Sequence, residues 1–193
     1  MMGLAWPPDW RDRVVSDSPS HVVILDVIDL LPRRHRYLPR GRPIDRCVVH
    51  HTGGPNLLAP PQGLLRTAGW LTRVRRFPGF PYQFYVPHAP DIWPDDWPWG
   101  DGRFVVYQTQ SANVVSWHTR EGGNPSGISV AFQKTARGDI SAAQQVCAVN
   151  LWRDHIRPRW GLRNLDLQTH SMYGKKKCPG PTLESWVRRE RGL

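Results

Sequence analysis

Three short segments carry side chains able to do chemistry: His50-His51-Thr52, Trp117-His118, and His170 followed by Lys176 and Cys178. Imidazole and cysteine thiolate are the preferred ligands of zinc, and a catalytic zinc site takes three protein ligands and keeps a fourth place for water. His50, His170 and Cys178 would make such a set. Gly174 lies between His170 and Cys178, so that segment can loop back to one ion, whereas His50 has to arrive from a distant part of the chain. Spacing alone leaves a plainer reading open. A lone histidine is more often a hydrogen-bonded core or surface group than a ligand, and Cys178 would also serve as a small buried hydrophobe.

The surrounding residues show what must position these groups. Cys47-Val48-Val49-His50 follows Pro43 and precedes Gly53-Gly54-Pro55, the pattern of a short buried strand with His50 at its end. Leu64, Leu65, Ala68, Leu71 and Val74 recur at helical spacing, which predicts an amphipathic helix over 61–76. Strands are expected at 82–86, 103–107 and 127–132. Ser141 with Gln144 three residues on is a capping-box pattern, opening a helix that places Val146, Val149, Trp152 and Ile156 on one face before Pro158. A short strand over 165–169 leads to His170, and Thr182 is positioned to cap a last helix running to Arg191. Strands and helices mix without strict alternation, so the fold class is α/β, a single domain with a central mixed sheet flanked by helices.

Residues 1–42 are rich in Pro and Arg and read as an N-terminal arm with a short helix over 22–31, leaving 43–193 as the domain. The 193 residues suffice for one domain with a real core. Three of the ten tryptophans, Trp93, Trp97 and Trp99, fall in a Pro- and Asp-rich loop over 87–102, long enough to suggest a role in stacking or docking. The net charge of +10 draws the protein to polyanions, but the basic residues are dispersed along the chain, so no nucleic-acid partner is expected. Cys47, Cys147 and Cys178 are odd in number and far apart, which argues against a disulfide framework. No segment has the order of a secretory signal or the length of a membrane span, so membrane insertion is not expected.

Four motifs occur in an order that resembles the type-2 N-acetylmuramoyl-L-alanine amidase and peptidoglycan-recognition-protein family. They are Val48-Val49-His50-His51-Thr52, Pro81-Tyr82-Gln83-Phe84, Trp117-His118 with Asn124 downstream, and His170 through Lys176-Lys177-Cys178-Pro179-Gly180. The resemblance covers about residues 44–187, and the last motif is closest to phage endolysin amidases. It implies a zinc amidase domain over 43–193 that cuts the bond between N-acetylmuramic acid and L-alanine in bacterial peptidoglycan. In that family His50, His170 and Cys178 would hold Zn2+, and Tyr82 and Lys176 would assist catalysis. His51, Thr52, Trp117, His118 and Asn124 would lie near the substrate cleft, His118 also being placed to support the site from behind. Plainer roles stand beside these: Lys176 as one of a solvated run, Tyr82 and Trp117 as core aromatics.

One departure from the family matters. Many members carry a glutamate as general base in the strand after the Asn loop, but 127–132 has no carboxylate, Ala131 stands in that place, and Ser129 replaces a usual glycine. The tyrosine-and-lysine form of the site is therefore expected. An alternative within the same family is a peptidoglycan-binding module that does not cut, a form usually marked by loss of a ligand. The resemblance further implies synthesis in the cytoplasm and action on the wall after release or delivery, with a phage or prophage origin. The arm and the Trp-rich loop are the candidates for docking on a phage particle or envelope component.

Overall fold

Runs of β-branched and aromatic residues become strands where both of their faces are covered. The computed structural model describes residues 10–17, 22–52, 62–88, 103–119, 123–134 and 139–193. Nearly all of the Trp-rich loop and the first nine residues lie outside them. Among the described residues seven strands form one mixed sheet: β1 (Val14–Asp17), β2 (Val22–Asp26), β3 (Arg46–His51), β4 (Phe84–Val86), β5 (Phe104–Gln108), β6 (Gly127–Phe132) and β7 (Leu167–Thr169). Their order is β1-β2-β5-β4-β6-β3-β7, antiparallel at β1/β2 and β4/β5 and parallel elsewhere.

Side-chain alternation along the strands divides the core in two. Cys47, Val49, Ile128, Val130 and Phe132 pack with α2 (Ala142–Asn150), the turns that follow it, and α4 (Pro181–Arg191) through Ala148, Leu151, Trp152, Leu183 and Trp186. Val23, Leu25, Tyr85, Val105 and Tyr107 pack with Leu64, Ala68 and Leu71 of α1 (Gln62–Arg73). The architecture is the expected mixed sheet between helices.

Several elements differ in detail from the sequence-based expectation. Residues 22–31 form β2 and a 3-10 turn, Ile28–Leu30, rather than a helix, because Val22, Val23 and Ile24 are β-branched and both faces of the strand are buried. The arm thus supplies two strands to the sheet. Helix α1 stops at Arg73, leaving Val74 exposed, and Arg76 takes a left-handed conformation at φ 57°. The Ser141/Gln144 capping box forms, but Val146 faces solvent and the buried face is Cys147, Ala148, Leu151 and Trp152.

Pro158 does not end that helical path. A π-helical segment, Leu151–Ile156, in which Arg157 N–H bonds the Trp152 carbonyl, carries the chain into α3 (Arg157–Trp160). Pro158 falls in the first turn of α3, where a missing N–H costs little. At the last helix Gly180, not Thr182, is the cap, and the Thr182 hydroxyl donates to the Asp139 carboxylate.

Arg40 ties the arm to the segment that carries Trp117 and His118. Its guanidinium donates to the carbonyls of Ala112 (2.8 Å), Pro125 (2.8 Å), Val114 (3.0 Å) and Gly127 (3.0 Å). Partial burial pulls its pKa down, yet the fork of donors keeps these carbonyls paired. Arg40→Ala is expected to lower stability by about 2–4 kcal/mol, since a charged donor is lost and several acceptors lose their partner. Arg40→Lys should recover little, because one ammonium cannot span the same carbonyls. Urea unfolding of the three proteins checks this, and an Arg40→Ala protein as stable as the parent would refute it.

Candidate metal centre

The parallel pairing of β3 with β7 builds the centre. Val49 is in register with Thr169, the last pair of this ladder, so the next residues, His50 near the end of β3 and His170 just past β7, lie side by side. His50 is fully buried, and its Nδ1 lies 3.0 Å from Nδ1 of His170. A 3-10 turn, His170–Tyr173, closes on Gly174, whose φ of 84° is a conformation that other residues enter only with strain. The chain then reverses through a turn in which Cys178 N–H donates to the Lys175 carbonyl (2.8 Å). Cys178 returns beside the two imidazoles, its Sγ accepting from His51 N–H at 3.5 Å.

Among the described residues His50, His170 and Cys178 form the one group of three ligand-type side chains gathered in this way, with ligand atoms within 4.8 Å of one another. Two nitrogens bound to one tetrahedral zinc stand ~3.3 Å apart, so the facing Nδ1 atoms are close to a chelating separation. Two imidazoles and one thiol are also a chemically suitable zinc donor set. The residues present therefore fit the metal.

Burial, and then the neighbouring rings of His118 and His170, hold the pKa of His50 well below the usual histidine value, so the ring is neutral. Burial likewise lowers His118, to about 3. The Cys178 thiol is pushed up to about 11 by burial, against the pull of His51 N–H, Lys134 and Lys175. A bound divalent cation would reverse that preference and hold the thiolate.

Tyr82 belongs to this group. Its ring centroid is 5.1 Å from that of His50, and burial, followed by the proximity of Cys178, raises its hydroxyl pKa, so it keeps its proton. Strand β4 starts at Phe84 rather than at Tyr82 because Gln83 N–H donates to the Ser129 hydroxyl (3.2 Å) instead of a ladder carbonyl. Gln83 Oε1 accepts from Ser129 N–H and Oγ, while its amide donates to Ser116. Ser129, the departure from the family pattern, is thus half of a buried clamp that sets Tyr82. Ala131 pairs in register with His50, so the strand beside it presents a methyl group and no carboxylate.

The other expected site residues have distinct surroundings. Lys176 is exposed on the turn before Cys178, and the cations that act on the thiol are Lys134 and Lys175. Both ring nitrogens of His51 face carbonyl oxygens, those of Thr52 (2.9 Å) and Lys177 (2.7 Å), so the ring secures the Cys178 loop. Thr52 is buried and accepts from Lys134 N–H. Asn124 Oδ1 accepts from Thr119 N–H and Oγ, which closes the Gly/Asn loop. His118 is buried with its Nδ1 3.1 Å from His50 Nε2, whereas Trp117 next to it is 53% exposed.

Sequence reasoning did not single out Glu184. Its carboxylate accepts from Ser171 Oγ (2.9 Å) and, at longer range, from Thr169 Oγ, bracing the residues on either side of His170 from α4. The only sequence signal was an acidic residue in the first turn of a helix, which many helices have.

Comparison with known proteins bears on the family and the fold. The family model described as N-acetylmuramoyl-L-alanine amidase matches residues 40–181. No curated protein matches the chain in sequence. Among solved structures, the Ph2119 endolysin of a Thermus scotoductus bacteriophage is similar at 22% identity and a TM-score of 0.60, over 88% of this chain and 99% of that one. Drosophila peptidoglycan recognition protein SD is similar at 16% identity and a TM-score of 0.66, over 87% of this chain and 94% of that one. The complex of peptidoglycan recognition proteins LCa and LCx, bound to tracheal cytotoxin, is similar at 20% identity and 0.62, over 86% and 95%. These structures share the fold, and the family match spans every residue of the centre, so the chain belongs to the N-acetylmuramoyl-L-alanine amidase family.

Proposed function

We propose that the chain hydrolyses the amide bond between N-acetylmuramic acid and L-alanine in bacterial peptidoglycan, with zinc held by His50, His170 and Cys178. The observation that carries this reading is the convergence of two Nδ1 atoms and one thiol at the ends of β3, β7 and the following loop. Zinc, when bound, supplies Lewis acidity at the scissile carbonyl and makes water a better nucleophile near neutral pH.

The chain's own residues do the rest. In the reaction a C–O bond forms, the amide C–N bond breaks, and a proton from water goes to the leaving amine of L-alanine. Tyr82 retains its proton and can donate it in a hydrogen bond to the developing oxyanion. Lys176 supplies a positive charge from the exposed turn. Trp117 offers an exposed aromatic face to a sugar ring or stem peptide beside the centre, and His51, Thr52 and Asn124 shape the cleft by holding its loops.

Likeness to a bacteriophage endolysin supports a lytic role in a phage or prophage. No helix among the described residues is long and apolar enough to cross a membrane.

Purified protein should contain zinc by elemental analysis and release free L-alanine amino groups from peptidoglycan. Cys178→Ala is expected to lose both metal and activity, and a metal-free Cys178→Ala protein that still cleaves would refute the ligand assignment. Lys176→Ala should keep its zinc and lose kcat by roughly 100- to 1000-fold, the usual cost of one oxyanion-stabilising group. If Lys134→Ala loses that rate instead, the cation has been misassigned. Binding to isolated cell walls should weaken as salt rises from 0.05 to 0.5 M, on the order of the screening expected for exposed charges, and salt-indifferent binding would count against an electrostatic contribution.

A further inference from the structure

Three imidazoles stand in a line that ends on a backbone carbonyl. His170 Nδ1 faces His50 Nδ1 at 3.0 Å, His50 Nε2 faces His118 Nδ1 at 3.1 Å, and His118 Nε2 lies 3.4 Å from the Gly127 carbonyl oxygen. The last atom can only accept, and this gives the line a direction. A proton on His118 Nε2 points at the carbonyl, which leaves a lone pair on Nδ1 of the neutral ring. That lone pair accepts from a proton on His50 Nε2, and His50 then presents its own lone pair at Nδ1, toward His170. The opposite tautomer of His118 would set a lone pair against the carbonyl and drive the His50 proton onto Nδ1, where it would block a ligand.

We propose, on the reading that His50 binds zinc through Nδ1, that His118 is a positioning residue that selects the ligating tautomer of His50 and does not itself contact substrate. Its surroundings support this. The ring is 4% exposed, and both of its nitrogens face protein atoms. It lies against the start of β6 only because residue 127 has no side chain: a Cβ there would meet His118 Cε1 at 3.1 Å and Nε2 at 3.2 Å, and the Gly123 carbonyl oxygen at 2.4 Å. The carbonyl that orients His118 is also one of those held by Arg40, so the line is anchored to the arm. A partner that fixes the tautomer of a metal-binding histidine raises metal affinity without touching the metal.

The test uses metal-free full-length protein with nitrogen-15 histidine, read by long-range proton–nitrogen NMR, together with zinc titration against a chelator. Wild type is expected to carry the His50 proton on Nε2. His118→Phe keeps a flat ring but offers no acceptor, so His50 should shift toward Nδ1–H and zinc affinity should fall by roughly 10- to 100-fold. His118→Asn, whose Oδ1 stands where Nδ1 stood, should restore both. The proposal is overturned if wild-type His50 carries its proton on Nδ1, or if His118→Phe retains the wild-type tautomer and zinc affinity. Should wild type show the Nε2 proton yet take up no zinc, the metal reading fails while the tautomer assignment holds. If His118→Phe does not fold, the wild-type spectrum still decides, and Gly127→Ala, which crowds the ring, is expected to perturb His50 in the same sense.

Discussion

The parallel pairing of β3 with β7 is the constraint on which the centre depends. Strands in parallel register end at the same side of the sheet, so residues that follow a paired couple leave the ladder together. With Val49 opposite Thr169, His50 and His170 have little choice but to meet, although 120 positions of chain separate them. Open α/β sheets place ligand sites beyond the carboxyl ends of their parallel strands, and this site obeys the same geometry. The third member of the candidate ligand set, Cys178, need only travel eight residues from His170, and the turn over Gly174 makes that return short.

What surrounds the candidate ligands is mostly hydrogen bonding to backbone. His51 grips the Lys177 carbonyl, Glu184 braces the hydroxyls that flank His170, and Arg40 gathers the carbonyls on either side of the Trp117–His118 segment. The clamp of Gln83, Ser116 and Ser129 does the same for Tyr82 inside the sheet. Buried polar groups are costly unless paired, so each of these contacts restricts the loops to one arrangement. A metal centre requires such restriction, because its ligands must be held near bonding distance by something other than the metal.

The site also explains its own composition. The strand beside His50 offers Ala131, so no carboxylate is available there as a base, and the proton-bearing groups gathered at the centre are Tyr82, Cys178 and the histidines. Of the side chains expected near the cleft, His51 and His118 have both ring nitrogens against protein atoms, and Asn124 Oδ1 accepts from Thr119. Trp117 is the one of that group that keeps a large exposed face.

Much of this was legible in the linear chain. Local patterns specified β3, β6 and the capping box of α2, because alternation and capping depend on neighbours a few residues apart. Ordered motifs singled out His50, His170, Cys178 and Tyr82, because ligand chemistry depends on residue type. What the chain could not display is which distant groups would be adjacent. The strands in the arm, the carbonyls around Arg40, the use of Ser129 as a clamp and the contact between His118 and His50 all arise from sheet order and register, which are set by long-range packing rather than local preference. Residue type thus determined what the chemistry could be, and tertiary pairing decided which atoms face one another to perform it.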